Sequence, residues 1–229
     1  MISLNKITHS NAILKTFLFG ILLGMSLVFW GWLLVPTTNP LGIIAMCLLL
    51  IVYALVGYFI FPRIDPEILN LIAAFGLLAG FIFAGEILLE YVLLPKDNTN
   101  WGLIEFGSVF ALYFLCGLWV AYKYRSIKDG TLAAILSAML SSLIWLIFLL
   151  LSFYIFRGTM RQQFVFTAEG NYEDFIRSGM RDFNTFVMED FLGAGFFHLL
   201  LSPLFAAVIG GIGSVLGKGL VQLRNMRRN

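Results

Sequence analysis

Six apolar runs, each long enough to cross a lipid bilayer, follow one another along this chain, and the basic residues gather on alternate sides of them. No other feature restricts the fold as tightly. A bilayer core of about 30 Å takes about 20 apolar residues of helix. Backbone polar groups cannot face lipid unpaired, so a spanning segment is either a helix or part of a closed barrel. These runs are continuous and do not alternate, which argues against a barrel. Of the 229 residues, 60% are hydrophobic and 12% charged, against about 25% charged in soluble domains. The expected fold is therefore an all-α integral membrane protein. It is a bundle of six transmembrane helices forming a single domain over 1–229, with the lipid bilayer as its first partner.

The spans are expected at Ile13–Val35, Leu41–Phe61, Leu69–Leu94, Leu103–Tyr122, Leu132–Phe156 and Leu192–Leu220. Pro36 and Pro95 close the first and third, and Asp129 or Thr131 is expected to cap the fifth. With the N-terminus inside, ten basic residues fall on the inner side: Lys6, Lys15, Arg63, Lys123, Arg125, Lys128, Lys218, Arg224, Arg227 and Arg228. Five fall outside: Lys96, Arg157, Arg161, Arg177 and Arg181. Four of those five share one long segment with six acids, and the short outer loop at 36–40 has no charge. Short loops weigh most in setting orientation, so both termini are expected in the cytoplasm, with the protein in a plasma or inner membrane. Trp30, Trp32, Tyr91, Trp101 and Tyr154 fall at outer helix ends, and Tyr58, Trp119, Tyr122 and Tyr124 at inner ends, as interfacial belts require. Trp145 sits inside the fifth span and is expected to pack there.

The outer segment Arg157–Phe191 is the longest outside the spans. Asn171 followed by Asp174 reads as a helix start. Tyr172, Phe175, Ile176, Met180, Phe183, Phe186, Val187 and Phe191 recur at helical spacing, with charged residues on the other face. This predicts an amphipathic helix over 171–190, lying at the outer interface in preference to re-entering or capping the bundle. Residues 1–95 and 100–220 show no self-similarity, which weighs against a transporter built from inverted repeats.

Ionisable residues within the spans are few. Glu86 lies about 7 Å past the middle of the third span, and Glu90 follows one turn later on the same face. Glu105 starts the fourth span and His198 lies about two turns into the sixth. All four occupy the outer half of the membrane, where a charge is expensive and should face the interior beside a partner. Glu86 is expected to pair with His198. Two carboxylates one turn apart beside a histidine suit a proton relay or cation site. Structural pinning is the plainer reading of the same residues.

Small residues form a second pattern. His198, Ser202, Ala206, Gly210 and Ser214 recur every four residues in the sixth span, with Gly213 and Gly217 beside them. Gly20 and Gly24 make a GxxxG pair in the first span. Such faces let helices approach closely, within one bundle or against other membrane subunits or a second copy. Pro203 is expected to kink the sixth helix and free a carbonyl near Leu199.

Enzyme motifs are lacking in the sequence. There is no HExxH, P-loop or GxGxxG. Only His9 and His198 are available, too few for paired-histidine haem ligation. An intramembrane serine protease of the rhomboid type needs a GxSG turn, but here Gly107-Ser108 is followed by Val109. Cys47 and Cys116 both lie in spans and read as small buried hydrophobes. A net charge of +2 gives no footprint for nucleic acid. The expected function is non-catalytic, a structural or accessory subunit of a larger membrane assembly, without cofactor or metal. The alternative is a small proton- or cation-coupled transporter or channel using Glu86, Glu90, Glu105 and His198.

Overall fold

The computed structural model of the protein describes residues 4–93 and 99–226. Leu94, Pro95, Lys96, Arg227, Arg228 and the side chains of Lys6 and His9 lie outside the described residues. Eight α-helices follow in order: α1 Leu4–Leu34, α2 Pro40–Ile60, α3 Pro66–Leu88, α4 Thr99–Tyr124, α5 Ile127–Phe156, α6 Met160–Ala168, α7 Asn171–Ser178 and α8 Phe183–Met226. A 3₁₀ turn, Phe61–Arg63, follows α2, and a π-helical turn, Leu89–Leu93, extends α3. Six of the helices, α1 to α5 and α8, are long and apolar enough to cross a membrane. No strand occurs among the described residues.

Local chemistry sets the helix starts. Asn39 and Asp65 each accept a hydrogen bond from the backbone two residues on, Leu41 N at 3.0 Å and Glu67 N at 2.9 Å. Pro40 and Pro66 then occupy the first helical positions, where a missing N–H costs nothing. The cap of α5 is Ser126, whose hydroxyl accepts from Asp129 N at 3.2 Å, and this corrects the expected Asp129 or Thr131. The reason is a turn of two residues: Arg125 takes φ 58°, so α5 starts almost as soon as α4 ends.

The segment before the sixth span is a further correction. It holds two short helices, and the stretch 171–190 is broken. Gly179, at φ 69°, ends α7 in a left-handed conformation that a side chain would oppose. Asp182 then caps α8 through Thr185 N at 3.0 Å. Helix α8 begins at Phe183, well ahead of the expected Leu192, and runs 44 residues. At 1.5 Å per residue it is about 66 Å long, twice a bilayer core. The aromatic residues assigned to an interfacial face therefore pack on one another. Phe166, Tyr172, Phe175, Phe183 and Phe186 form one contiguous stack over α6, α7 and the start of α8.

Helix α5 is the hub of the bundle and packs on α1, α3, α4 and α8. Its Ser137, Ser141 and Ser142 are fully buried and reach neighbours: Ser137 donates to Ile72 O at 3.2 Å, and Ser141 lies 2.6 Å from the Tyr113 hydroxyl. In lipid such bonds substitute for water and fix which helix faces which. Two ends of the bundle are then distinguishable. One, the Glu67 end, carries the Lys123–Glu67 ion pair at 2.8 Å and the Arg224–Tyr122 hydrogen bond at 2.9 Å. The other, the Glu189 end, carries α6, α7 and the contact of Glu189 with Asn39 N at 2.8 Å. Trp30, Trp101, Tyr58 and Trp119 are exposed near helix ends, as belt residues should be. Tyr91 and Tyr154 are not belt residues. Tyr91 is buried against Phe156, and Tyr154 donates to the carbonyl of Leu27.

Candidate functional site

The intramembrane acids lie together at the Glu189 end. Glu86 and Glu90 project from α3 and its π-turn, Glu105 from α4, Glu169 from the end of α6, and Asp190 from α8. Glu86 lies within electrostatic range of Glu90, Glu105 and Glu169. Glu90 also lies within electrostatic range of Glu169 and Glu105. Glu105 is only 8% exposed, and its Oε1 has no hydrogen-bond partner. Among the described residues no ion pair reaches Glu86, Glu90, Glu105 or Glu169. Glu169 is exposed as a residue, yet its carboxyl is pushed up to about 7. Lost solvation is the main cause, the neighbouring Glu90 carboxyl opposes it, and the charges of Asp190 and Glu86 add to it.

A cation of the same end does something else. Arg161 of α6 donates through Nε to Tyr91 O at 2.6 Å and through Nη2 to Val92 O at 2.5 Å. These carbonyls belong to the π-turn, where helical partners run out, and a guanidinium satisfies two of them at once. Arg161 therefore caps the third span. Its role was hidden in the sequence because its acceptors are backbone atoms about 70 positions away.

His198 does not join the acids, which corrects the expected Glu86–His198 pair. Its ring stacks on Trp145, centroids 4.2 Å apart and 23° from parallel, and stands edge-on to Phe83 at 4.6 Å. Phe83 is one turn deeper than Glu86 on α3, so the helix offers α8 an aromatic ring where the carboxylate was expected. The His198 Nε2 and Trp145 Nε1 atoms are buried without hydrogen-bond partners. The site is thus an aromatic box under a group of acids. Among the described residues no three His, Cys, Asp or Glu side chains converge as a metal ion would need.

The small-residue ladder serves the bundle itself. Ser202, Ala206, Gly210, Gly213, Ser214 and Gly217 are all buried on α8. A Cβ on Gly210 would strike the Cβ of Ala134 on α5, and on Gly213 or Gly217 it would strike the carbonyls of Phe114 or Leu118 on α4. Gly20 faces Leu143, 3.1 Å from where a Cβ would sit, and Gly24 faces Leu50 and Leu146 at ordinary contact distance. Tyr53, which the sequence reading passed over, reaches across from α2 to α8 and α5. Its hydroxyl donates to Leu199 O at 2.5 Å and lies 3.1 Å from Ser142 Oγ. The signal for it was indirect: Pro203 leaves Leu199 O without a helical donor, so some neighbour had to supply one.

No family model matches the chain, and no curated protein or solved structure matches it.

Proposed function

We propose that this polytopic membrane protein is a small, non-catalytic proton- or cation-coupled carrier whose coupling groups are Glu86, Glu90, Glu105 and Glu169. One observation carries the reading: Glu86 lies within electrostatic range of three other carboxyls, and among the described residues no ion pair reaches any of the four. Like charges this close in a poor dielectric cannot all ionise, so the group takes up protons or captures a cation. Its charge then responds to the proton or cation concentration on the side it faces. The small-residue ladder, one of the supports for an accessory subunit, is occupied within the bundle.

The orientation belongs to the same reading. Arg63, Lys123, Arg125, Lys128, Lys218 and Arg224 gather toward the Glu67 end, which favours that end, with both termini, in the cytoplasm. The carboxyls then face the outside of a plasma or inner membrane. Single cysteines at Arg125 and Gly158 should label from inside and outside respectively, and the reverse pattern would overturn the orientation.

The decisive experiment is flux. Purified protein is placed in liposomes containing a pH-sensitive dye, and proton or monovalent-cation movement is driven by an imposed gradient. Flux in the wild type that is abolished by Glu86→Gln and by Glu105→Gln, with helicity and monodispersity retained, supports the carrier. Wild-type protein that moves neither species overturns it.

A further inference from the structure

Helices α2 and α8 part company near the Glu189 end and leave a groove of about 240 Å³ between them. Its walls are two helical rows: Asn39, Gly42 and Ala45 on α2, and Glu189, Gly193 and Phe196 on α8. From Glu189 to Phe196 it runs about 10 Å along the helix, roughly two-thirds of one leaflet. We propose that this groove binds one phospholipid with a primary-ammonium headgroup, its acyl chain on the glycine floor and its ammonium on Glu189.

The floor is open space and not a tight helix contact. A Cβ added to Gly193 would meet nothing within 4 Å, and one added to Gly42 would meet only Leu192, at 3.9 Å. This contrasts with the glycines of α8 below, every one of whose buried members touches a neighbour. The groove also ends abruptly. Deeper in the bundle Tyr53 joins α2 to Leu199 of α8. A spanning helix from another protein would need a seam of about 30 Å, whereas an acyl chain fits a slot that covers part of one leaflet.

The mouth selects the headgroup. Glu189 is half-buried there, one oxygen accepts from Asn39 N at 2.8 Å, and no ion pair reaches its carboxylate among the described residues. Among the groove's lining residues Glu189 is the charged one. An anionic headgroup would meet repulsion. A choline head has no N–H to give, whereas a primary ammonium donates directly to the second carboxylate oxygen in a charge-assisted bond.

The test uses native mass spectrometry of the full chain in mild detergent, titrated with phosphatidylethanolamine, phosphatidylcholine and phosphatidylglycerol of identical acyl chains. Wild-type protein should retain one phosphatidylethanolamine with about tenfold preference over the other two, the size expected for one charge-assisted hydrogen bond. Glu189→Gln keeps the acceptor for Asn39 N, and should bind all three equally. Gly193→Leu fills the floor and should lower retention of all three, with the melting temperature in lipid-free detergent unchanged. Equal retention of the three headgroups by wild type would overturn the proposal. So would undiminished binding by Gly193→Leu, or a stoichiometric protein partner that holds the groove lipid-free.

Discussion

Tyr53 of α2 gives its hydroxyl proton to the carbonyl of Leu199 on α8, the acceptor that Pro203 deprives of its own helix's N–H. A proline deficit on one helix is thus made good by a phenol from another. In lipid no water stands ready to take its place.

Tyr53→Phe should therefore destabilise the bundle by about 1 kcal/mol, the net worth of one such bond. Pro203→Ala restores the amide at that position, so in its background the same change should cost markedly less. A double-mutant cycle from denaturant unfolding in detergent reads the coupling. Equal costs in the two backgrounds would show that the bond does not answer the proline.

Gly217→Leu should destabilise by about 3 kcal/mol or more, because the new side chain has backbone in its way and not a flexible neighbour. Gly219→Leu, two residues on and facing open space, should leave stability unchanged. Thermal melts of the two variants beside wild type make the comparison. Similar losses for both would contradict the close approach of α4 and α8.

Arg161→Ala should free the carbonyls of Tyr91 and Val92 and loosen α6 from the end of the third span, at a cost of about 2 kcal/mol. Amide hydrogen exchange should speed up over 89–93 and 160–168 and stay unchanged in α5. Unaltered protection of the π-turn would remove the capping role.

The carboxyl of Glu169 is held above the ordinary carboxylate range, so the folded protein keeps a proton there that the unfolded chain releases. The folded state binds more protons, and stability falls as pH rises from about 4.5 towards 7. Glu169→Gln removes this group from the titration. Plotted against pH, the melting temperature of wild type should drop across that window relative to the variant. A difference between them that stays flat would exclude the effect.

The six spans were legible because hydrophobicity over about 20 residues is a local property that lipid enforces regardless of partners. Asn171 was legible as a helix start for the same reason of locality. The end of that helix was also written in the chain, in Gly179 and the cap at Asp182, but the aromatic periodicity continues in step across the break and masked it. The grouping of Glu86, Glu90 and Glu105 in one half of the membrane was visible from their depth. Which neighbour each met was not. Whether Glu86 or Phe83 turns toward His198 depends on the rotation of α3 against α8, and no local pattern fixes that angle. Glu169 stayed out of view because its membership depends on how α6 folds back over the π-turn.

Backbone touching backbone has a mechanical meaning. Where Gly117 meets Gly210, Gly213 meets Phe114 and Gly217 meets Leu118, the nearest atoms across α4 and α8 are backbone, with little to rotate or compress. Those helices, with α5 against them, behave as a single rigid beam, and sliding one along the other would first require prising them apart. Helices α1 and α2 rest on that beam through side chains, which can change rotamer and re-seat. Side-chain contacts can re-seat without parting two backbones, so α1 and α2 are held to the bundle by a softer kind of joint than the one between α4 and α8.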